Sequence, residues 1–354
     1  MVRALTFAIP GDINTVTGGY SYDRRVICEL RKAGIAVNHC ELPASFPFPD
    51  TADTGQTVSQ LNATRADVPL IIDGLAFGAI PHDSARRLRP GIVAMCHHPL
   101  GLETGLSDEK AAWFLANEKA NLQLADCVVA TSKTTAATLH AELDVPLGKL
   151  VVAEPGTDAM PRSQGGERHV VELLGAGSLI ERKGQDVLIH ALAGMRGQPW
   201  RLRLVGSPDR DRAFAAKLKA LIAGHDLGAQ IELTGEIPRA DLEQLYATCD
   251  VFVLASRYEG YGMVLAEALA SGLAIVSTTG GAAAQTVPDA AAIKVPPGDV
   301  AALRAALQRV VGDTDLRTRL AEHSWEAGQM LPRWNDTAAI IASALDHVKA
   351  GKPS

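Results

Sequence analysis

Short apolar runs alternate with longer amphipathic segments along this chain, and they do so in two series. The first series comprises Ala4–Ile9, Val37–Leu42, Leu70–Ile72, Gly91–Met95, Cys127–Ala130 and Leu150–Ala153. These runs are rich in Val, Ile and Leu and lack strict alternation, the pattern of strands covered on both faces. Helical periodicity fills the gaps, as in Tyr22–Ala33 and Lys133–Leu143. Such a rhythm restricts the fold to α/β with a doubly wound parallel sheet, because parallel neighbours can be joined only by a crossover.

The stretch Glu154–His169 interrupts the rhythm with Pro155, Gly156, Pro161, Gly165 and Gly166, and reads as a linker. The pattern then restarts. Strands are expected at Val170–Gly175, Arg201–Val205, Gln230–Thr234, Val251–Leu254 and Ala274–Ser277. Helices are expected at Gln185–Met195, Arg212–His225, Arg239–Ala247 and Gly262–Ala270. With 354 residues there is room for two cores of this kind. The expected organisation is a Rossmann-like first domain over residues 1–160 and a second over 168–330. In the tail, Ala301–Gln329 reads as helices interrupted at Pro332. A last helix near Trp334–Val348 carries Ala338, Ile341, Ala342 and Leu345 at helical spacing. The segment 331–354 is expected to pack back on the first domain. Two sheets facing across a cleft would bind a ligand beyond the carboxyl ends of their strands.

Composition narrows the function. A net charge of −6 argues against a nucleic-acid partner. The basic stretch Arg86, Arg87 and Arg89 reads as a solvated helix end. The five cysteines, Cys28, Cys40, Cys96, Cys127 and Cys249, show no metal or redox spacing and read as buried thiols in a reducing compartment. The opening Met1–Pro10 is too short an apolar run for a signal peptide, and no run of about 18 apolar residues occurs. A cytoplasmic protein is expected.

Four motifs carry chemistry. Gly18-Gly19 follows the opening strand, where backbone amides can approach a phosphate; a plain turn is the equal alternative. It is not G-x-G-x-x-G, and Glu41 is the nearest match to a dinucleotide's ribose-binding acid. Arg182 and Lys183, in Gly175–Gly184, could neutralise a diphosphate leaving group, although alone they read as a surface pair. His97 and His98 follow a strand and could contact a sugar hydroxyl. Being adjacent, they point opposite ways and do not chelate one metal. Finally, Glu259 and Glu267 stand eight positions apart across glycines and a helix start, in Glu259-Gly260-Tyr261-Gly262-Met263-Val264-Leu265-Ala266-Glu267. Glu267 lies among apolar residues, so its charge requires a partner, either a ribose diol or an arginine from another helix. Asp209-Arg210-Asp211 has a D-x-D spacing but sits among arginines, which argues against a metal role.

In this order, the motifs resemble the retaining glycosyltransferases of family 4, which have the GT-B fold. The likeness covers most of the second domain: Lys183-Gly184, Leu233–Pro238, the E-x7-E motif, Ser271–Val276, Gly280-Gly281 and Val295–Asp299. The first domain matches more loosely, through Gly18-Gly19 and the histidine after the strand. The resemblance implies a hexosyltransferase taking a nucleoside-diphosphate-sugar, UDP- or GDP-linked, with no metal or other cofactor. Glu267 would hold the ribose, Glu259 the transferred sugar, and the amides of Gly262, Met263 and Val264 the sugar or phosphates. Lys183 would stabilise the leaving diphosphate, and the backbone near Ile237 would face the base. Gly18 or Gly19 would cover the distal phosphate, and His98 or His97 would touch the donor sugar, with His98 slightly preferred. Ser178 stands where the family often has arginine, and Arg182 is the substitute considered.

The acceptor is a hydroxyl of a glycan, a lipid-linked compound or a small molecule. Trp113 and Phe114, in the helical stretch Ser107–Leu124, are expected to pack on the sheet, with a peripheral membrane contact as the alternative. A sugar-nucleotide epimerase and a non-catalytic nucleotide-sugar sensor remain as competing readings. A nicotinamide-dependent oxidoreductase is disfavoured by the missing dinucleotide fingerprint.

Overall fold

The computed structural model describes residues 2–165, 169–195 and 197–348 and divides the chain into two compact units, Met1–Gly156 with Pro332–Ser354, and Thr157–Leu331. Residues 166–168 of the expected linker and 349–354 of the expected terminal segment lie outside the described residues.

In the first unit, strands β1 (Ala4–Pro10), β2 (Ala36–Leu42), β3 (Leu70–Asp73), β4 (Ile92–Cys96), β5 (Cys127–Ala130) and β6 (Leu150–Val152) alternate with helices. These are α1 (Gly18–Lys32), α2 (Thr51–Asn62), α3 (Gly74–Phe77), α4 (His82–Ala85), α5 (Asp108–Leu124) and α6 (Lys133–Ala141). All strand pairs are parallel in the order β2-β1-β3-β4-β5-β6, so the order reverses between β1 and β3. The inner strands β1, β3, β4 and β5 are buried and largely apolar, as expected for a sheet covered on both faces, whereas the edge strands β2 and β6 are partly exposed.

The second unit repeats the plan. Its strands are β7 (Val171–Ala176), β8 (Trp200–Val205), β9 (Ile231–Gly235), β10 (Val251–Leu254), β11 (Ala274–Thr278) and β12 (Ala292–Val295). Its helices are α7 (Gln185–Ala193), α8 (Arg212–Gly224), α9 (Arg239–Thr248), α10 (Met263–Ala270), α11 (Ala283–Thr286), α12 (Val300–Gly312) and α13 (Thr314–Gln329). The order β12-β11-β10-β7-β8-β9 reverses between β7 and β10. Two apolar cores lie on its two faces. One contains Trp200, Leu218 and Leu307, the other Tyr246, Phe252 and Leu269.

The last helix, α14 (Trp334–Leu345), belongs to the first unit and packs on α1, β5 and β6. Trp334 is buried, with its ring edge-on to Tyr22 at 5.7 Å and under the Arg25 guanidinium at 5.3 Å. The hydroxyl of Thr337 donates to the Glu154 carbonyl at 2.7 Å. Gly156 is required here, because a Cβ would lie 2.2 Å from the Trp334 nitrogen.

Several expectations are corrected. Helix α2 was not expected because its buried face is built from Thr54 and Thr57 with Leu61; Asp50 caps it by accepting from Asp53 N. Strand β12 is a four-residue strand paired only with β11, too brief to show a period. Helix α1 begins at Gly18 rather than near Tyr22, because Thr17 caps it. Arg89 is buried, not solvated: its Nε donates to Thr64 Oγ1 at 2.9 Å and its Nη1 to the Pro90 carbonyl at 3.0 Å. Cys28 is exposed on the outer side of α1, and Cys40, on the edge strand β2, is only half-buried against the core. Within the expected linker, Met160 packs into the second unit's core. Phe114 is buried as expected, whereas Trp113 is 46% exposed. No helix among the described residues is long and apolar enough to cross a membrane.

Replacing Trp334 with alanine removes a buried aromatic anchor, a change that costs about 3–5 kcal/mol. Urea unfolding followed by circular dichroism should show that loss, and an unchanged midpoint would refute the anchoring role of α14.

Candidate active site

In the second unit, the reversal of strand order places the loops after β7 and β10 side by side, where ligands of such sheets bind. The loop after β7 ends in a 3-10 turn, Glu181–Lys183, followed by Gly184 in a left-handed conformation (φ 64°). A Cβ at Gly184 would lie 2.1 Å from the Ala255 carbonyl, so glycine alone lets α7 start against the neighbouring loop.

Two arginines lock these loops reciprocally. Arg182 Nη1 donates to the Tyr258 carbonyl at 3.0 Å, while the Arg257 guanidinium donates to the Glu181 carbonyl. The Arg257 amide adds a 2.7 Å bond to the Arg182 carbonyl. Asp186 anchors the clamp, 3.3 Å from Arg257 Nη2 and 3.0 Å from Lys217 Nζ. Burial pushes the Asp186 carboxyl up, but these two cations outweigh it and hold it below the usual range.

The clamp brings Lys183 to Glu259. Lys183 Nζ donates to Glu259 Oε1 at 2.7 Å, the Ser256 hydroxyl donates to the same oxygen, and Arg182 Nη1 lies 3.8 Å from Oε2. Glu259 is only 4% exposed. Burial disfavours its charge, yet Lys183 and Arg182 hold its pKa below the ordinary value. Its backbone pairs with Gly281, where a Cβ would sit 2.4 Å from the Glu259 carbonyl oxygen.

Helix α10 begins directly after this loop. Gly262 is its N-cap at φ 89°, and Met263 and Val264 form its first turn. Amides in a first turn have no intrahelical acceptor and face outward with a partial positive charge. One turn on, Glu267 Oε1 accepts from Arg239 and Oε2 accepts from the Tyr246 hydroxyl at 3.0 Å. The arginine of another helix is therefore the partner that Glu267 has in this structure. Ile237, half-buried after β9, packs on the same core as Val264. The Ser178 carbonyl accepts from Gln185 Nε2 at 3.0 Å.

In the first unit, Gly18 and Gly19 form the first turn of α1, and a Cβ at Gly19 would lie 3.4 Å from the His97 ring. His97 Nε2 is 3.1 Å from Asp23 Oδ1 and 3.5 Å from Asp73 Oδ2, both carboxylates being buried. Burial alone would depress the imidazole, but the two carboxylates outweigh it and raise His97 to about 10. Burial is also the main cause that pushes Asp23 up. The preferred His98 is half-buried and takes no part in this triad. Asp23, Asp73 and His97 have ligand atoms within 4.8 Å of one another, a spacing that fits a metal ion. The imidazolium fills that place with its own charge, and a metal would have to displace its proton. Asp209 and Asp211 are engaged locally: Asp211 caps α8 through Phe214 N, and Asp209 pairs with Arg212.

Glu118 supports the segment after His98. Its Oε2 accepts from Leu100 N at 2.9 Å, and burial pushes its pKa up to about 8.

Sequence reasoning missed Asp23, Asp73, Arg239, Tyr246, Arg257 and Asp186. Two left a readable signal. Asp73 ends the apolar run of β3, and Asp23 shares the buried face of α1 with Val26, Ile27 and Leu30. The others are polar residues whose partners lie far along the chain.

Two six-stranded parallel units, the second with cations and a helix N-terminus at its switch point, define the protein as α/β. Comparison with known proteins names the class. The family described as "Glycosyl transferases group 1" matches residues 166–326, and "Glycosyltransferase Family 4" matches residues 25–160. The chain belongs to the family 4 glycosyltransferases and has the GT-B fold. The MMP alpha-(1->4)-mannosyltransferase of Mycolicibacterium hassiacum is 25% identical over 320 residues, covering 86% of this chain and 76% of that protein. The lipopolysaccharide core biosynthesis glycosyltransferase LpsE of Rhizobium meliloti is 31% identical over 160 residues, 44% of this chain and 43% of that one. Among solved structures, the sucrose-phosphate synthase of Thermosynechococcus elongatus has a TM-score of 0.79 at 21% identity, covering 96% of this chain and 98% of that one. HepE of Anabaena, solved with UDP-glucose, has a TM-score of 0.74 at 19% identity, covering 98% and 100%. These structural likenesses show the fold.

Glu118 supplies a pH test. Its folded pKa of about 8 lies above the ordinary value of 4.5, so the folded chain keeps a proton that the unfolded chain has released between those values. The stability it contributes is complete below about pH 4.5 and is lost as pH rises through 8. Glu118→Gln does not titrate. From pH 5 to 8, wild type should therefore lose stability relative to the variant by up to ~1.4 kcal/mol per pH unit. Urea unfolding across that range measures it, and a pH-independent difference would refute the shift.

Proposed function

We propose that this glycosyltransferase moves a sugar from a nucleoside-diphosphate-sugar to an acceptor hydroxyl with retention at the anomeric carbon and without a metal ion. The observation that carries the reading is the Lys183 ammonium held on buried Glu259 beside the first turn of α10. A glycosyl diphosphate develops negative charge on its phosphate oxygens as the anomeric bond breaks. A fixed ammonium and outward-facing amides stabilise that charge.

In this reading Lys183 turns toward the diphosphate, with Gly262, Met263 and Val264 offering amides to the phosphates or sugar. Glu259 contacts the transferred sugar, Glu267 the ribose diol, and the backbone near Ile237 the base. Arg182 keeps a supporting place beside Glu259. In the first unit, the α1 turn at Gly18 and Gly19 serves the distal phosphate. His97, pinned by two carboxylates, shapes that turn and leaves His98 for the donor sugar. The acceptor oxygen bonds to the anomeric carbon from the face that the diphosphate leaves, and the acceptor's proton passes to a departing phosphate oxygen. A uridine or guanosine donor is favoured, since HepE was solved with UDP-glucose and a mannosyltransferase relative from Corynebacterium glutamicum is named as GDP-mannose-dependent. A cytoplasmic setting, where thiols stay reduced, suits five cysteines of which none is paired.

A thermal-shift screen of nucleotide-sugars identifies the donor, and release of the nucleoside diphosphate then measures turnover. Lys183→Ala should lower turnover tenfold or more, ~1.4 kcal/mol in the barrier. Near-wild-type turnover would sink the assignment. Proton NMR of the product reads the anomeric configuration, and an inverted linkage would refute retention.

A further inference from the structure

The inference concerns Arg239 and rests on the reading that Glu267 receives the ribose of the donor. Arg239 opens α9, directly after Ile237 and Pro238. Its guanidinium is fixed on three sides: Nη1 on Glu267 Oε1, Nε on Glu243 Oε1 at 2.8 Å, and Nη2 3.4 Å from Met160 Sδ. Tyr246 lies two turns further along the same helix. Its ring is fully buried and stacked on Phe252, and its hydroxyl donates to Glu267 Oε2. Helix α9 thus places one donor on each oxygen of Glu267.

A carboxylate held at both oxygens cannot turn about its terminal bond. It offers about four acceptor positions, of which α9 occupies two, and a cis-diol needs two. The side chain of Glu267 keeps 16% of its surface open, so an approach for a ligand remains. We propose that Arg239 is the positioning residue that makes this site specific for a ribonucleoside: it fixes Glu267 so that both ribose hydroxyls are met at once. A sugar lacking one hydroxyl then leaves an oriented acceptor unmatched. Without Arg239 the carboxylate turns, accepts water instead, and loses the distinction.

Calorimetric titration tests this with UDP, GDP and their 2′-deoxy counterparts, and needs no acceptor. Wild type should bind its preferred ribonucleotide at least about tenfold tighter than the deoxy form, or ~1.4 kcal/mol. Glu267→Gln should bring the two within about twofold. Arg239→Ala should weaken the ribonucleotide about tenfold while leaving the deoxy form within about threefold. Arg239→Lys, which keeps the charge but not the planar fork, should fall between. The Arg239 side chain is 46% exposed, so these variants retain the core.

Undiminished discrimination in Arg239→Ala, with discrimination lost in Glu267→Gln, would overturn the inference and leave the ribose reading standing. Tighter binding by Arg239→Ala would also overturn it, making the arginine a cover over Glu267. Full discrimination in Glu267→Gln, or no binding of any of the four nucleotides to wild type, would overturn the ribose reading and the inference with it.

Discussion

The candidate site depends on one buried charge. Glu259 is almost wholly removed from water, and an ionised carboxylate is tolerated there only with close partners. Lys183, Arg182 and Ser256 supply them. That requirement ties the loop after β7 to the loop after β10 at the point where the strand order reverses. The glycines follow from it: a side chain at Gly184 would push the loop after β7 off the loop after β10, and one at Gly281 would push the loop after β11 off Glu259. The start of α10 inherits its position from the same loop.

The first unit solves a similar problem with different groups. His97 lies against the first turn of α1, between carboxylates from α1 and from the end of β3. Three segments that leave the carboxyl edge of that sheet are thereby held by one cation. In both units a buried ion cluster fixes a loop just where a parallel sheet exposes its functional edge. Each charge in these clusters lies within reach of an opposite one, which offsets the cost of burying it.

Much of the fold was legible. The apolar runs located eleven of the twelve strands within about one residue, because a strand covered on both faces must be apolar along its length. The miss, β12, is a short strand with a single neighbour. Helix α2 was hidden because threonines, not large apolar residues, line its buried face. The site was legible where glycines and charges recur at fixed spacing in one segment, as from Glu259 to Glu267. It was opaque where a charge meets its partner across the fold. Arg89 read as solvent-facing, yet it is folded over Thr64 and Pro90. Arg257, two positions before that motif, closes the clamp on Glu181 and Asp186, partners more than 70 positions away.

The sequence by itself determined two parallel α/β sheets, a last amphipathic helix, and the glycines and charged residues from which the candidate site is built. Those properties are local: they follow from periodicity, from glycine's backbone freedom and from the chemistry of each side chain. Only the tertiary structure decided which partner each charge takes. Lys183 and Glu259 stand 76 positions apart, His97 and Asp23 74, and Arg239 and Glu267 28. A buried charge accepts whichever opposite group the fold delivers within a few ångströms, and nothing in the spacing along the chain records that distance.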